Sequence, residues 1–165
     1  MNLPLDPDQV VYGFNTSSLI KASAVLYPMD NFPSLWDEIE ELIRNGRLKM
    51  SEPVFDEVMW GAVLRDWCSE KGLKPFLLSK VDDSVENAFQ TIQSKYPELM
   101  NVKRGTSLAD PWVISLAMRY PKGVVVTEEQ PTGDLVNPRI PDVCKDLSVE
   151  CVNIAGFVSR ENWVF

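Results

Sequence analysis

Short apolar runs alternate with longer stretches of helical periodicity along the chain. Residues 10–14 and 124–126 are apolar runs that end abruptly in polar residues, a pattern typical of short buried strands. Residues 33–44 and 81–96 carry apolar side chains three and four positions apart, which predicts helices with one buried face. Because strands and helices alternate and the strands are mostly apolar, we expect an α/β fold whose parallel sheet is covered on both faces.

Weaker patterns predict the remaining elements. Residues 47–50 alternate like a strand. A helix capped by Ser51, with Pro53 in its first turn, is expected to run past Glu57 to Gly72. Asp110 precedes a proline and an apolar run, which predicts a helix through about Arg119. A last strand is expected at residues 149–153, followed by a C-terminal turn at residues 157–163.

Polar side chains follow the predicted strands. Asn15 comes directly after the first strand, and Thr127, Glu128 and Glu129 come after the run of valines. In parallel sheets, ligands bind beyond the carboxyl ends of the strands. Together with Glu57 and Asp110 on two helices, these residues predict a polar site at one edge of the sheet.

The composition narrows the chemistry. The length of 165 residues suits a single domain, 1–165, and the chain contains no histidine, which excludes imidazole catalysis and histidine-bound metals. Neither of the standard glycine-rich phosphate loops is present. The net charge of −8 argues mildly against nucleic acid as a partner, although a bound cation would change the sign of a carboxylate-lined pocket. Three cysteines without CxxC spacing, no leader-like start and no apolar run of ~20 residues predict a cytoplasmic protein outside the membrane.

Four ordered motifs resemble those of PIN-domain proteins. Residues 14–20 resemble the D-T-S-S-x-I opening, with Asn15 where the family has aspartate, and Glu57 is similar to the second acid. Residues 109–117 resemble the A-D-x-x-[IV]-x-x-x-A motif around Asp110, and residues 124–129 resemble the V-V-T-x-D strand end, with Glu129 in the last place. Residues 32–36, 46–48 and 140–144 are similar to a prokaryotic PIN-like subgroup whose function was long unknown. The resemblance covers nearly the whole chain and implies a three-layer α/β/α PIN-like fold with a central, mostly parallel sheet.

The resemblance also implies a function. Most of the family are metal-dependent ribonucleases, notably the VapC-type toxins of toxin–antitoxin pairs, so it implies a hydrolase with Mg²⁺ or Mn²⁺, an RNA substrate, a protein antitoxin and an optional homodimer. The implied catalytic and metal-binding positions are Asn15, Glu57, Asp110 and Glu129, with Glu128 competing for the fourth place. Side chains expected to orient ligands or waters are Thr16, Ser17, Thr127 and Asp142.

Asn15 decides between two hypotheses, an active nuclease and an inactive binding module. An amide oxygen still coordinates a cation but carries no charge, so activity should be sharply reduced or absent, and the alternative is a catalytically inactive module that binds RNA or protein. Natural loss of the acid and a deliberate Asp→Asn change would both explain Asn15. Because the other acidic positions are intact, a deliberate change is favoured. A receiver-like phosphoacceptor domain is a weaker reading, because neither its aspartate nucleophile nor its lysine is evident.

Each position also has an ordinary structural interpretation. Asp110 and Asp142 are equally suited to cap helices or turns, Glu57 to a solvated helix face, and the two glutamates to a polar loop. Lys103 and Arg104 are either a contact for RNA phosphate or solvated surface.

Overall fold

The computed structural model describes residues 7–100 and 108–165 and has a mixed α/β fold in three layers. The strands in this part of the chain are β1 (Val11–Phe14), β2 (Met50–Ser51), β3 (Leu78–Ser79), β4 (Gly123–Val126) and β5 (Glu150–Val152). The helices are α1 (Thr16–Lys21), α2 (Pro33–Arg44), α3 (Glu52–Val58), α4 (Ala62–Lys71), α5 (Lys74–Leu77), α6 (Asp83–Lys95), α7 (Asp110–Met118), α8 (Ile140–Asp146) and α9 (Ile154–Arg160). A π-helical turn (Ala22–Leu26) continues α1, and a 3-10 turn (Pro97–Met100) follows α6.

All the strand pairs within residues 7–100 and 108–165 are parallel. Strands β1, β4 and β5 form one sheet with β4 in the middle, and β2 pairs with β3. A parallel bridge between Tyr12 and Leu48 joins the two groups, so the strands follow one another across the molecule in the order β3, β2, β1, β4, β5. The parallel sheet predicted from the alternating pattern is therefore confirmed.

Helices cover both faces of β1. A Cβ atom added to Gly13 would lie 3.6 Å from the carbonyl oxygen of Val113, so α7 packs directly over that residue. Tyr12 and Phe14 alternate with Gly13 and face the opposite way, where the Phe157 ring of α9 lies 4.7 Å and 5.0 Å from theirs. The prediction that both faces are covered is confirmed, and it explains why Val124, Val125 and Val126 are all fully buried.

The predicted helix at residues 33–44 forms with the expected buried face. Its buried side chains include Leu35, Ile39, Leu42 and Ile43, and Gly46 just beyond its end has a φ of +74°. Glycine reaches this left-handed conformation without steric cost, which is why the Asn-Gly pair ends the helix.

Other elements differ from the prediction. The helix expected to run to Gly72 is divided into α3 and α4 at Gly61, where an added Cβ would lie 3.1 Å from Cγ1 of Ile20. The chain thus passes close to the residues of α1 and changes direction. The strand expected at residues 47–50 is only Met50–Ser51, and the predicted C-terminal turn is helix α9, because the Asn153 side chain accepts a hydrogen bond from Gly156 N and caps it.

The structure bears on two expectations from composition, the state of the cysteines and the absence of a membrane-spanning helix. Cys68 and Cys144 are buried, Cys151 is partly buried, and all three are free thiols. Within residues 7–100 and 108–165, no helix is both long and apolar enough to cross a bilayer.

Candidate active site

At the carboxyl edge of the sheet, all five described strands change from an apolar to a polar residue at the same level. The last apolar row across the strands consists of Leu78, Met50, Phe14, Val126 and Val152. One residue further along every strand, the row becomes Ser79, Ser51, Asn15, Thr127 and Asn153. The predicted positions of Asn15 and Thr127 at this edge are confirmed, since both are next to paired strand ends and both are buried.

Asn15 and Asp110 form a buried pair at the centre of this edge. Each is 1% exposed, and Nδ2 of Asn15 donates a hydrogen bond of 3.1 Å to Oδ1 of Asp110. The two residues are 95 positions apart in the chain, so the contact depends on α7 packing against β1 and β4. Asp110 is the first residue of α7, where the dipole of the helix favours a negative charge. The structure therefore brings together the first and third predicted acidic positions.

The amide oxygen of Asn15 is fully engaged. It accepts hydrogen bonds from Ser17 Oγ (2.7 Å), Ser18 N (3.2 Å) and Ser18 Oγ (3.0 Å). A backbone N–H can only donate, so the bond from Ser18 N fixes which amide atom is the oxygen and leaves the NH₂ group facing Asp110. Asn15 is at once the N-cap of α1 and the partner of Asp110.

Ser18 links the ends of two strands and was not predicted as a site residue. Its Oγ donates to Asn15 Oδ1 and accepts a 2.8 Å hydrogen bond from the backbone N–H of Glu128. The signal in the sequence was the N-cap spacing, because a side chain three residues after a cap lies beside it. That spacing does not reveal the second contact, which comes from a segment 110 residues away.

Glu128 and Glu129 contact the starts of two different helices. Glu128 Oε1 accepts a 2.8 Å hydrogen bond from Ile154 N of α9, and Glu129 Oε2 accepts one of 3.2 Å from Ile140 N of α8. Burial raises the pKa of Glu129, and the Ile140 N–H and the charge of Arg139 partly offset this effect. Thr127 Oγ1 accepts a hydrogen bond of 3.1 Å from the Glu129 N–H. This bond fixes the backbone that follows β4 and carries the two glutamates.

Asp142 organises the loop after Glu129. Its two oxygens accept hydrogen bonds from Thr132 N and Oγ1, Gly133 N and Arg139 N, at 2.8–3.0 Å. Burial alone would raise the pKa of Asp142, but these hydrogen bonds outweigh it and lower the pKa. Of the two interpretations given to Asp142 above, the contacts favour the turn and helix-capping one.

Of the other predicted positions, Thr16 follows Asn15 directly and Glu57 is on a neighbouring helix. Glu57 is partly buried in α3, which packs against both α1 and α7, the helices that begin beside Asn15 and at Asp110. Thr16 Oγ1 and Ser51 Oγ are buried at the same sheet edge and have no hydrogen-bond partner among the described residues. Buried hydroxyls are normally hydrogen-bonded, so these two are exceptions at this edge of the sheet. Lys103 and Arg104 lie outside the described residues.

The acidic side chains do not close around a common point. In residues 7–100 and 108–165, no three of the Asp, Glu and Cys side chains are grouped closely enough to hold a metal ion. The amide NH₂ of Asn15 takes up an oxygen of Asp110, and the carboxylates of Glu128 and Glu129 are bonded to helix N-termini. With asparagine at position 15, the residues at this edge do not fit a divalent cation.

The fold and the site together define a parallel α/β domain with a buried amide–carboxylate pair at the carboxyl edge of its sheet. Residues 12–165 match the family described as a domain of unknown function, DUF4411, and the chain belongs to that family. No curated protein matches the chain.

Proposed function

We propose that this chain is a PIN-like endoribonuclease and the toxin of a toxin–antitoxin pair. Asn15 keeps its site in a form that holds no cation. The observation that carries the proposal is the hydrogen bond from Asn15 Nδ2 to Asp110 Oδ1. In the four-motif pattern that the sequence resembles, both positions are carboxylates. Two buried carboxylates at this distance need a cation or a shared proton between them, and the Asn15 amide replaces both.

Three features of the surroundings of the pair support the nuclease proposal. When bound in such a site, Mg²⁺ or Mn²⁺ supplies an activated water and stabilises the charge on the phosphate oxygens. In this chain Asp110 keeps its place at the start of α7, Glu57 is on an adjacent helix, and Ser17 and Ser18 hold the side chain at position 15. An aspartate at position 15 would keep the contacts of Oδ1 with both serines and turn its second oxygen towards Asp110.

A second candidate is a catalytically inactive PIN-like module that binds RNA or protein. The observation that favours it is that the Asn15 side chain already makes four hydrogen bonds within the protein, three to its amide oxygen and one from its NH₂ group to Asp110. A side chain held by this many bonds within the protein is expected of a site that is kept for its structure.

Cleavage of RNA by Asn15→Asp separates the two candidates. The wild-type chain, N15D and the double variant N15D/D110N are incubated with single-stranded and structured RNA in Mn²⁺, Mg²⁺ or EDTA. The nuclease proposal expects cleavage by N15D alone, abolished by EDTA. If N15D folds and binds Mn²⁺ yet leaves every RNA intact, the nuclease proposal is wrong, and the inactive module is favoured.

The toxin assignment is tested in cells. Expression of N15D should arrest growth through RNA cleavage in the cytoplasm, whereas the wild-type chain should not. Co-expression of a neighbouring gene product should restore growth if an antitoxin exists, and size-exclusion chromatography of N15D with and without it reports a homodimer. Cleavage in vitro without growth arrest would support the nuclease assignment and contradict the toxin assignment.

A further inference from the structure

In two segments of this acidic chain, all the charged residues are basic. Residues 44–51 and 71–81 contain six of the 16 Lys and Arg residues and no Asp or Glu, whereas the rest of the chain has 10 basic against 24 acidic residues. Positive charge is therefore concentrated in two short stretches that are separated by 19 residues of the sequence.

The fold packs these segments against each other. Strand β2 pairs with β3, Lys49 Nζ donates a 2.7 Å hydrogen bond to Phe76 O, and Arg44 Nη2 donates one of 2.8 Å to Lys71 O. The Arg44 guanidinium lies 5.4 Å from the centre of the Phe76 ring. We use the term basic surface for Arg44, Lys49, Lys71, Lys74 and Phe76.

The basic surface is open to solvent and retains a positive charge. The Arg44 and Lys71 side chains are 39% and 47% exposed, and Phe76 is 41% exposed. Glu40 lies 3.4 Å from a nitrogen of Arg44 and from one of Lys71, so its carboxylate offsets one of the four positive charges of the basic surface. The nearby Arg47 does not contribute, because both its terminal nitrogens bind the Glu161 carboxylate at 2.7 Å.

We propose that the basic surface binds single-stranded RNA, with the cations on the phosphates and a base stacked on Phe76. Proteins that bind single strands combine a positive groove with aromatic rings, and the basic surface joins an exposed ring, Phe76, with nearby cations. The surface is at the amino ends of β2 and β3, the opposite edge of the sheet from Asn15. It therefore binds RNA whether or not the Asn15 edge cleaves it.

The number of phosphates that the basic surface neutralises sets the salt dependence of binding. Each phosphate neutralised on a single strand contributes about −0.7 to the slope of log K against log salt, so three contacts give a slope of about −2. The affinity should then fall about 20-fold between about 50 mM and 200 mM salt. Removing one stacked base costs about 5- to 150-fold in affinity, from ~1–3 kcal/mol per base.

The test measures binding of a fluorescent oligouridine by anisotropy in EDTA, so that cleavage plays no part. Wild type is compared with K71E/K74E, with F76A and with the control K122E/K145E, which changes the charge equally at two other exposed lysines. We expect K71E/K74E to weaken binding at least about tenfold and to reduce the salt slope by about 1.4. F76A should weaken binding with the slope unchanged, and the control should match wild type.

Three results would overturn the inference. The first is equal weakening by K122E/K145E, which would mean that only total charge matters. The second is full affinity in F76A together with equal competition by polyglutamate, which would identify a surface for acidic proteins. The third is no RNA binding by the wild-type chain at about 50 mM salt. K71Q/K74Q and thermal melts of all variants distinguish lost contacts from lost folding.

Discussion

Replacing Asn15 by aspartate converts a satisfied buried pair into two carboxylates of like charge. The change removes only the two protons that Asn15 Nδ2 offers, because Oδ1 keeps its bonds to Ser17 and Ser18. Both side chains at this contact are 1% exposed, so solvent does little to screen them. We expect the variant to fold with reduced stability when no cation is present.

The magnitude follows from the contact distance. At 3.1 Å and an effective dielectric constant of about 20, two unit charges repel by about 5 kcal/mol. The pair can instead bind a proton, and protonating a carboxyl with a pKa near 4 at neutral pH costs about 4 kcal/mol. The smaller value sets the limit, and at roughly 2–4 °C per kcal/mol it predicts a decrease in Tm of about 8–16 °C.

Thermal unfolding of wild type and N15D, with EDTA or Mn²⁺ and at neutral or acidic pH, measures this effect. The raised pKa of the pair means that folded N15D binds more protons than the unfolded chain, so its stability falls as pH rises above about 4. Saturation with Mn²⁺ at about 100 times its Kd should restore about 2.7 kcal/mol. N15D/D110N is the control and should not respond to Mn²⁺. If N15D melts like wild type and ignores both Mn²⁺ and pH, the reasoning about the pair is refuted.

Three further substitutions test the framework around the site. Asp142→Ala removes the acceptor of four hydrogen bonds in the loop at residues 132–139 and should cost about 2–4 kcal/mol, with faster amide exchange in that loop. Phe157→Ala empties a fully buried site between three rings and should cost about 3–5 kcal/mol in urea unfolding. Asp82→Ala removes the cap of α6 and a bond from Arg119, and should cost about 1 kcal/mol at neutral pH. The Val85 N–H and Arg119 lower the pKa of Asp82 to about 2, so this contribution is complete above about 3.8 and is lost as pH falls through about 2.

Each of these substitutions has a matched control nearby. Asp134→Ala lies in the same loop as Asp142, Phe165→Ala removes an exposed ring, and Asp83→Ala removes the acid next to Asp82. All three controls should change stability by much less than their partners. Equal losses at Asp134 and Asp142, or at Phe165 and Phe157, would show that the assigned contacts do not carry the stability. An unchanged acid limb of the unfolding curve in D82A would contradict the role given to Asp82.

The strongest local patterns predicted the framework correctly. The three valines of β4 are apolar on both faces, which only a strand covered by helices on each side permits, and Asn15 follows β1 with an abrupt change to polar residues. Helix α7 was recognised from Asp110 and the apolar residues that follow it. These features depend on neighbours in the sequence, so the sequence was enough.

Features that depend on distant partners were missed. Strand β3 has only two residues and exists through its pairing with β2, which no local pattern reveals. The directions of the Glu128 and Glu129 side chains depend on helix starts 26 and 11 residues further along the chain. The basic surface forms only when β2 and β3 pair. The roles of the acidic positions in catalysis and in metal binding stay predictions.

The hydrogen bonds that meet at Asn15 also have a direction. The Glu128 N–H donates to Ser18 Oγ, the Ser18 hydroxyl donates to Asn15 Oδ1, and the Asn15 amide donates to Asp110. Bonds aligned head to tail polarise one another, so each link is stronger in the presence of the others. The carboxyl edge of the sheet therefore behaves as one oriented dipole chain that ends on Asp110. A ligand that pulls on the backbone after β4 would change the polarity felt at Asp110 without touching it.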